Sequence, residues 1–167
     1  IMIYIFGNWK MNLNGVSAPK LAELIKNNIE FVGKDVEIAL FPPNILLFPV
    51  HNSIGDSVNT PNISLGAQNI DPSNISPITG GIEGAMLKEW GAEYVIIGHS
   101  ERRKAFKEEN KLLPEKLESA SKEDLRVIFC IGESLKEKEE GKTISVLKEQ
   151  LEILNNAELN KFIVAYE

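Results

Sequence analysis

Six short apolar runs punctuate the chain: Met2 to Phe6, Val36 to Phe41, Ile63 to Ala67, Tyr94 to Ile97, Val127 to Ile131 and Phe162 to Tyr166. Each is rich in Ile, Val, Phe or Tyr and shows no sustained apolar–polar alternation. Such runs predict strands buried on both faces, as in a parallel sheet. Between them apolar residues return at helical spacing. Leu21, Leu24, Ile25, Ile29 and Val32 share one helical face, with Pro19 in the first turn. Ile82, Met86 and Trp90 recur every fourth residue. Leu113, Leu117 and Ala120 form another stripe, with Pro114 early. Ile144, Leu147, Leu151 and Leu154 form a fourth, for which Thr143 is the expected N-cap. Asn44 to Val50 predicts a further short helix, and the charged run Lys136 to Glu140 a solvated one.

The predicted strands recur at roughly 30 residues, the length of a βαβ unit. Alternating strands and helices predict an α/β fold with a parallel sheet. The regular spacing points to a (β/α) barrel, and periodicity alone also permits a doubly wound sheet. A full barrel has eight strands in about 250 residues. The expectation is therefore a single incomplete barrel domain over 1–167, holding six strands, with about a third of the barrel absent beyond Glu167.

Composition narrows the function classes. Apolar residues make up 43% and charged residues 25%, as in an ordinary globular domain. A net charge of -6 argues against a nucleic-acid partner. No apolar run nears the roughly 20 residues of a membrane span. The lone cysteine, Cys130, excludes an internal disulfide and suits a reducing, cytoplasmic setting. Asn62-Ile63-Ser64 and Asn74-Ile75-Ser76 match a glycosylation sequon and are read as chance. Two histidines and one cysteine leave no metal-ligand spacing. Cys130 reads as a packed core thiol, His51 as a surface or helix-end residue, and Trp9 and Trp90 as packing.

Polar residues collect just past the predicted strand ends. Asn8 and Lys10 follow the first strand, Gln68 and Asn69 the third, His99 the fourth, Glu133 the fifth and Glu167 the sixth. In a barrel that rim carries the active site. The set suits proton transfer beside a carbonyl. Glu167 is the candidate base, His99 the electrophile, and Lys10 the fixed cation facing the developing enolate oxygen. Placed at a helix start, His99 would resist protonation. Glu101 is close enough in sequence to orient Lys10 or the turn. Gln68 and Asn69 brace the rim.

Gly7-Asn8-Trp9-Lys10-Met11-Asn12, Ile97-Gly98-His99-Ser100-Glu101-Arg102-Arg103, Cys130-Ile131-Gly132-Glu133 and Ala165-Tyr166-Glu167 resemble triosephosphate isomerases. The match is collinear and spans the chain. The resemblance implies a cofactor-free interconversion of dihydroxyacetone phosphate and D-glyceraldehyde 3-phosphate through an enediolate. It implies Glu167 as base and His99 as electrophile, a pairing carried over from the family. It implies Asn8 and Lys10 as substrate-binding residues and Glu101 as the carboxylate beside the lysine. It also implies a homodimer, with the loop Ile70 to Glu83 reaching the partner through Thr79, and Arg102 at the interface. The family's third loop commonly reads Thr-Gly-Glu, whereas this chain has Thr79-Gly80-Gly81. Arg102 is then expected to lack a carboxylate partner, with Glu83 as a substitute. Two other readings stand beside this one. The first is an inactive barrel fragment that self-associates or pairs with a complementary C-terminal fragment. The second is a different phosphosugar isomerase on the same barrel.

Overall fold

The computed structural model describes residues 1–29, 33, 35–55, 63–74, 77–155 and 161–167. Val32, Asn62, Ile75 and Ser76, which figure in the sequence expectations, lie outside them. The chain divides into two compact units, Ile1–Asn69 with Ala85–Val95, and Ile70–Gly84 with Ile96–Glu167.

In the first unit, strands β1 (Ile3–Asn8), β2 (Val36–Phe41) and β3 (Ile63–Ala67) run parallel and in sequence order. β4 (Ala92–Ile97) joins β3 with Leu65 opposite Ala92 and a register shift after Leu65. All five residues of β3 are buried, as an unalternating apolar run requires. β1 differs from expectation. Its Ile3, Tyr4 and Ile5 stay exposed, because β1 is paired to β2 along one edge only among the described residues. Phe6, Phe41 and Tyr94 form an aromatic cluster, with Phe6–Phe41 ring centroids 5.7 Å apart and Phe6–Tyr94 5.5 Å apart. Gly66 makes room for it, since a Cβ there would lie 2.1 Å from the Phe41 ring.

Helix α1 (Ser17–Asn28) turns inward a face that shares Ile25 and Ile29 with the expected one but leaves out Leu24. Ala18 and Ala22 are fully buried, Ile25 and Ile29 pack against the core cluster that includes Ile38, Leu40 and Ile63, and Leu24 is 61% exposed. The alanines allow close approach, so the contact face is set by small residues that a search for large apolar ones overlooks. The Asn44 to Val50 prediction resolves into a 3-10 turn, Asn44–Leu46, leading into α2 (Leu47–Ile54). Pro49 is tolerated in the first turn of α2, where the backbone N–H has no helical partner. His51 lies in the last turn of α2, half-buried beside Gly91, where a Cβ would come within 2.3 Å of its Nδ1. Trp9 packs against the core and Trp90 meets Phe48 edge-on at 4.3 Å, as expected of packing residues. Helix α3 (Gly84–Glu89) excludes Ile82 and Trp90, and it buries Leu87 where Met86 was expected.

In the second unit, α4 (Ser100–Phe106) follows β4. A 3-10 turn, Asn110–Leu112, leads into α5 (Leu113–Lys122), then β5 (Arg126–Ile131). Helices α6 (Leu135–Glu139) and α7 (Thr143–Glu152) precede β6 (Phe162–Tyr166), which pairs parallel with β5. Leu113, Leu117 and Ala120 are buried as predicted, together with Lys116 and Ser119 on the same face. The Lys136 to Glu140 run is helical and mostly exposed, capped by Ser134 in a reciprocal box with Glu137. β6 keeps Val164 and Tyr166 exposed, against the both-faces-buried expectation, because its described pairing is to β5 along one edge. The stripe predicted for α7 holds only in part, with Leu154 buried just past the helix and Leu147 half-buried. Ile144 and Leu151 are exposed while Gln150 is buried. Thr143 is the first helical residue and not its cap; its hydroxyl donates to Glu133 instead.

Candidate active site

In the first unit, β1 ends on Asn8, whose Oδ1 accepts the Lys10 N–H at 3.0 Å. Lys10 adopts a left-handed φ of +52°, which costs a non-glycine residue roughly 1–2 kcal/mol. Hydrogen bonds around it offset that cost. Gln68 donates through Nε2 to the carbonyls of Lys10, at 2.9 Å, and Phe41, at 2.8 Å. The Gln68 N–H in turn donates to Asn44, whose side chain donates to the Asn69 carbonyl. Gln68 therefore braces the lysine turn as its rim position suggested.

In the second unit, β4 leads through Gly98 to His99, the N-cap of α4. Gly98 has φ +79°, and a Cβ would press at 3.1 Å on both the Cys130 carbonyl and the Arg103 guanidinium. Arg103 closes this turn by donating from Nε to the Gly98 carbonyl at 2.7 Å. His99 Nδ1 accepts the Glu101 N–H at 3.3 Å, which leaves the ring proton on Nε2. That Nε2 faces Glu167 Oε1 at 3.0 Å, and the Ser100 N–H donates to Glu167 Oε2 at 3.1 Å. The imidazole is therefore aimed by the backbone of its own turn, with the carboxylate opposite Nε2. Glu167 is held from behind by its N–H, which donates to the Ile131 carbonyl at 2.9 Å.

The Glu101 carboxylate is exposed, and it stands 3.8 Å from His99 Nδ1, beyond hydrogen-bond reach. Arg102 has its own carboxylate, Glu108, at 2.6 and 2.7 Å, and its guanidinium lies 4.6 Å from the centre of the Phe106 ring. The expected deficit at Arg102 is thus filled within the chain. Glu83 is exposed, and Thr79 is exposed in the turn with Gly80 at φ +81°. Glu108 also accepts from buried Lys116 at 2.6 Å. Burial alone would raise the Glu108 carboxyl, but hydrogen bonds from Arg102 and Lys116 hold it below its ordinary range. Glu133 accepts from Thr143 at 3.0 Å and from Tyr166 at 3.0 and 3.1 Å. Its own backbone N–H, then those hydroxyls, keep its carboxyl low. It is engaged as a brace between β5, β6 and α7. Burial, then the Glu167 charge, pushes the Cys130 thiol up to about 12, so it stays a buried, un-ionised thiol.

Three participants were not singled out in the sequence. Arg103 and Gln150 bind backbone, and Gly132 offers its own, and no periodicity marks such contacts. Among the described residues no group of three or more His, Cys, Asp and Glu is placed to hold a metal ion, and no helix is long and apolar enough to cross a membrane.

Comparison with known proteins places this geometry. A family model described as triosephosphate isomerase matches residues 3–167. The triosephosphate isomerase of Caldanaerobacter subterraneus subsp. tengcongensis is 40% identical over 171 residues, covering 98% of this chain and 65% of its own length. That of Leptospira borgpetersenii serovar Hardjo-bovis is 38% identical over 167 residues, with the same coverage. The chain thus spans about 65% of the length of these curated relatives. The crystal structure of the Bartonella henselae triosephosphate isomerase superposes with a TM-score of 0.84 at 35% identity, covering 99% of this chain and 68% of that one. The fold is accordingly α/β, and its six parallel strands match those of that (β/α) barrel, as the sequence pattern predicted.

Proposed function

The chain belongs to the triosephosphate isomerase family, and from that premise we propose that its chemistry is the cofactor-free interconversion of dihydroxyacetone phosphate and D-glyceraldehyde 3-phosphate, a step of glycolysis and gluconeogenesis. The observation that carries this reading is the imidazole of His99 with Nε2 3.0 Å from the Glu167 carboxylate. Glu167 takes a proton from C1 of the ketose, and the C–H electron pair becomes the C1–C2 double bond. The C2 oxygen gains the charge, which the His99 Nε2–H stabilises by hydrogen bonding. Return of the Glu167 proton to C2, with proton transfer between the two oxygens through His99, completes the aldose. For the base to reach carbon, its contacts with Ser100 and His99 must be exchanged for substrate. Lys10 supplies the fixed cation, Asn8 holds its turn and contacts substrate, and Glu101 orients the lysine. The left-handed Lys10 backbone, pinned by Asn8 and Gln68, supports a fixed rather than a roaming ammonium.

Exchange of the C1 hydrogen of dihydroxyacetone phosphate with deuterated solvent tests the assignment. Glu167→Gln is expected to lower the rate by about 10²- to 10⁴-fold, the usual worth of a positioned base. His99→Gln should do the same. A Glu167→Gln protein exchanging at the wild-type rate would overturn the reading.

The assembly we propose is a cytoplasmic homodimer with Thr79 and Arg102 at its interface. Pairing of Arg102 to Glu108 supports it, since a satisfied guanidinium can be buried without the carboxylate that Gly81 replaces. Sedimentation equilibrium showing only monomer at micromolar concentration would remove this proposal.

A further inference from the structure

Gln150 is the buried polar residue of α7, and its carboxamide meets one backbone unit twice. Its Oε1 accepts the Gly132 N–H at 2.8 Å, and its Nε2 donates to the Gly132 carbonyl at 3.0 Å. The N–H and C=O of Gly132 are therefore both fixed by one side chain, as a neighbouring strand would fix one edge. Gly132 directly follows β5, beyond its last residue, Ile131. On its other side it lies against Glu167. A Cβ on Gly132 would stand 2.6 Å from the Glu167 carbonyl oxygen and 3.5 Å from the Glu167 Cβ. The Glu167 N–H is bound to the Ile131 carbonyl, one residue earlier. The backbone of 131–132 is thus the seat on which the main chain of Glu167 rests.

We propose that Gln150 is a positioning residue for the Glu167 carboxylate, acting through Gly132. The inference rests on the isomerase reading for its catalytic consequence but not for its structural one. Burying an amide is costly unless both its polar ends are satisfied, and here both are spent on the N–H and C=O of a single residue. An apolar residue would fill the same place on α7 without that risk. The contact therefore does something that packing does not: it sets the height and tilt of the Gly132 backbone. A proton-abstracting carboxylate loses rate steeply with small displacements, so such a seat governs turnover more than substrate affinity.

Amide exchange by NMR and steady-state kinetics on the same Gln150→Met protein test this separately. We expect the Gly132 and Glu167 amides to exchange about tenfold faster, the effect of losing one or two net hydrogen bonds, with the amide of Leu40 in β2 unchanged. We expect kcat to fall by about 10- to 100-fold with KM within about twofold. An unchanged Glu167 amide would overturn the proposal, and so would faster exchange with unchanged kcat. If the wild-type protein does not isomerise triose phosphates, the isomerase reading fails and the exchange data alone decide whether Gln150 seats Glu167. Should Gln150→Met not fold, Gly132→Ala is the second variant. It keeps the glutamine and pushes on Glu167, and is expected to lower kcat comparably; an unchanged kcat there also overturns the proposal.

Discussion

The two units hold polar groups at strand ends over very different interiors. In the first, the interior is built from Ile, Leu, Val and the Phe6–Phe41–Tyr94 cluster, and among the described residues Ser64 is its one buried polar side chain. Asn8 and Lys10 are fixed there chiefly by hydrogen bonds to backbone. In the second, Glu108, Lys116, Ser119 and Gln150 are all buried. His99 and Glu167 sit among charge-assisted and amide-to-backbone contacts whose members depend on one another. Apolar interiors forgive exchange of one hydrophobe for another. A buried polar network fails when a single partner is lost, because the remaining group cannot be resolvated. The geometry of a base and its histidine requires fixed directions, and directional contacts come at that risk.

Breaking this contrast should be easiest at Lys116. Lys116→Met leaves Glu108 buried opposite Arg102 alone, and should lower stability by about 3–5 kcal/mol in urea unfolding. Removing both charges, with Glu108→Leu as well, should recover most of it, since Arg102 is part-exposed and can turn to water. No recovery in the double variant would mean that the network is not the cause.

In the first unit, Leu65→Ala empties space in a buried strand and should cost about 2–5 kcal/mol without any pH dependence between pH 3 and 7. A pH-dependent loss there would blur the distinction between the units.

The smallest effect is expected on the acid limb. The folded Glu108 carboxyl lies below its ordinary value of 4.5. Its contribution is therefore fully present above that value and is lost as pH falls through the lower folded one. Glu108→Gln should be less stable than wild type by about 1–3 kcal/mol near neutrality, with the gap closing below about pH 4. A gap constant with pH would show that the carboxylate charge contributes nothing.

Much of this protein was legible in its sequence. The six strands are where unalternating apolar runs placed them, because a strand buried by its neighbours needs little beyond β-branched and aromatic residues in succession. The rim residues Asn8, Lys10, Gln68, His99, Glu133 and Glu167 follow from strand ends, and His99 stands at a helix start as expected. What the sequence could not reveal depends on which distant residue arrives alongside. Ala18 and Ala22 face the core because the close approach of α1 and α2 rewards small side chains. Ile3 and Val164 stay exposed because, among the described residues, their strands are paired on one edge. Arg102 is neutralised by Glu108, and Gln150 is inside because Gly132 offers it two backbone partners. Local pattern encodes how much apolar surface an element carries. Whether a polar group is cheap to bury is decided only when the tertiary structure supplies its partner.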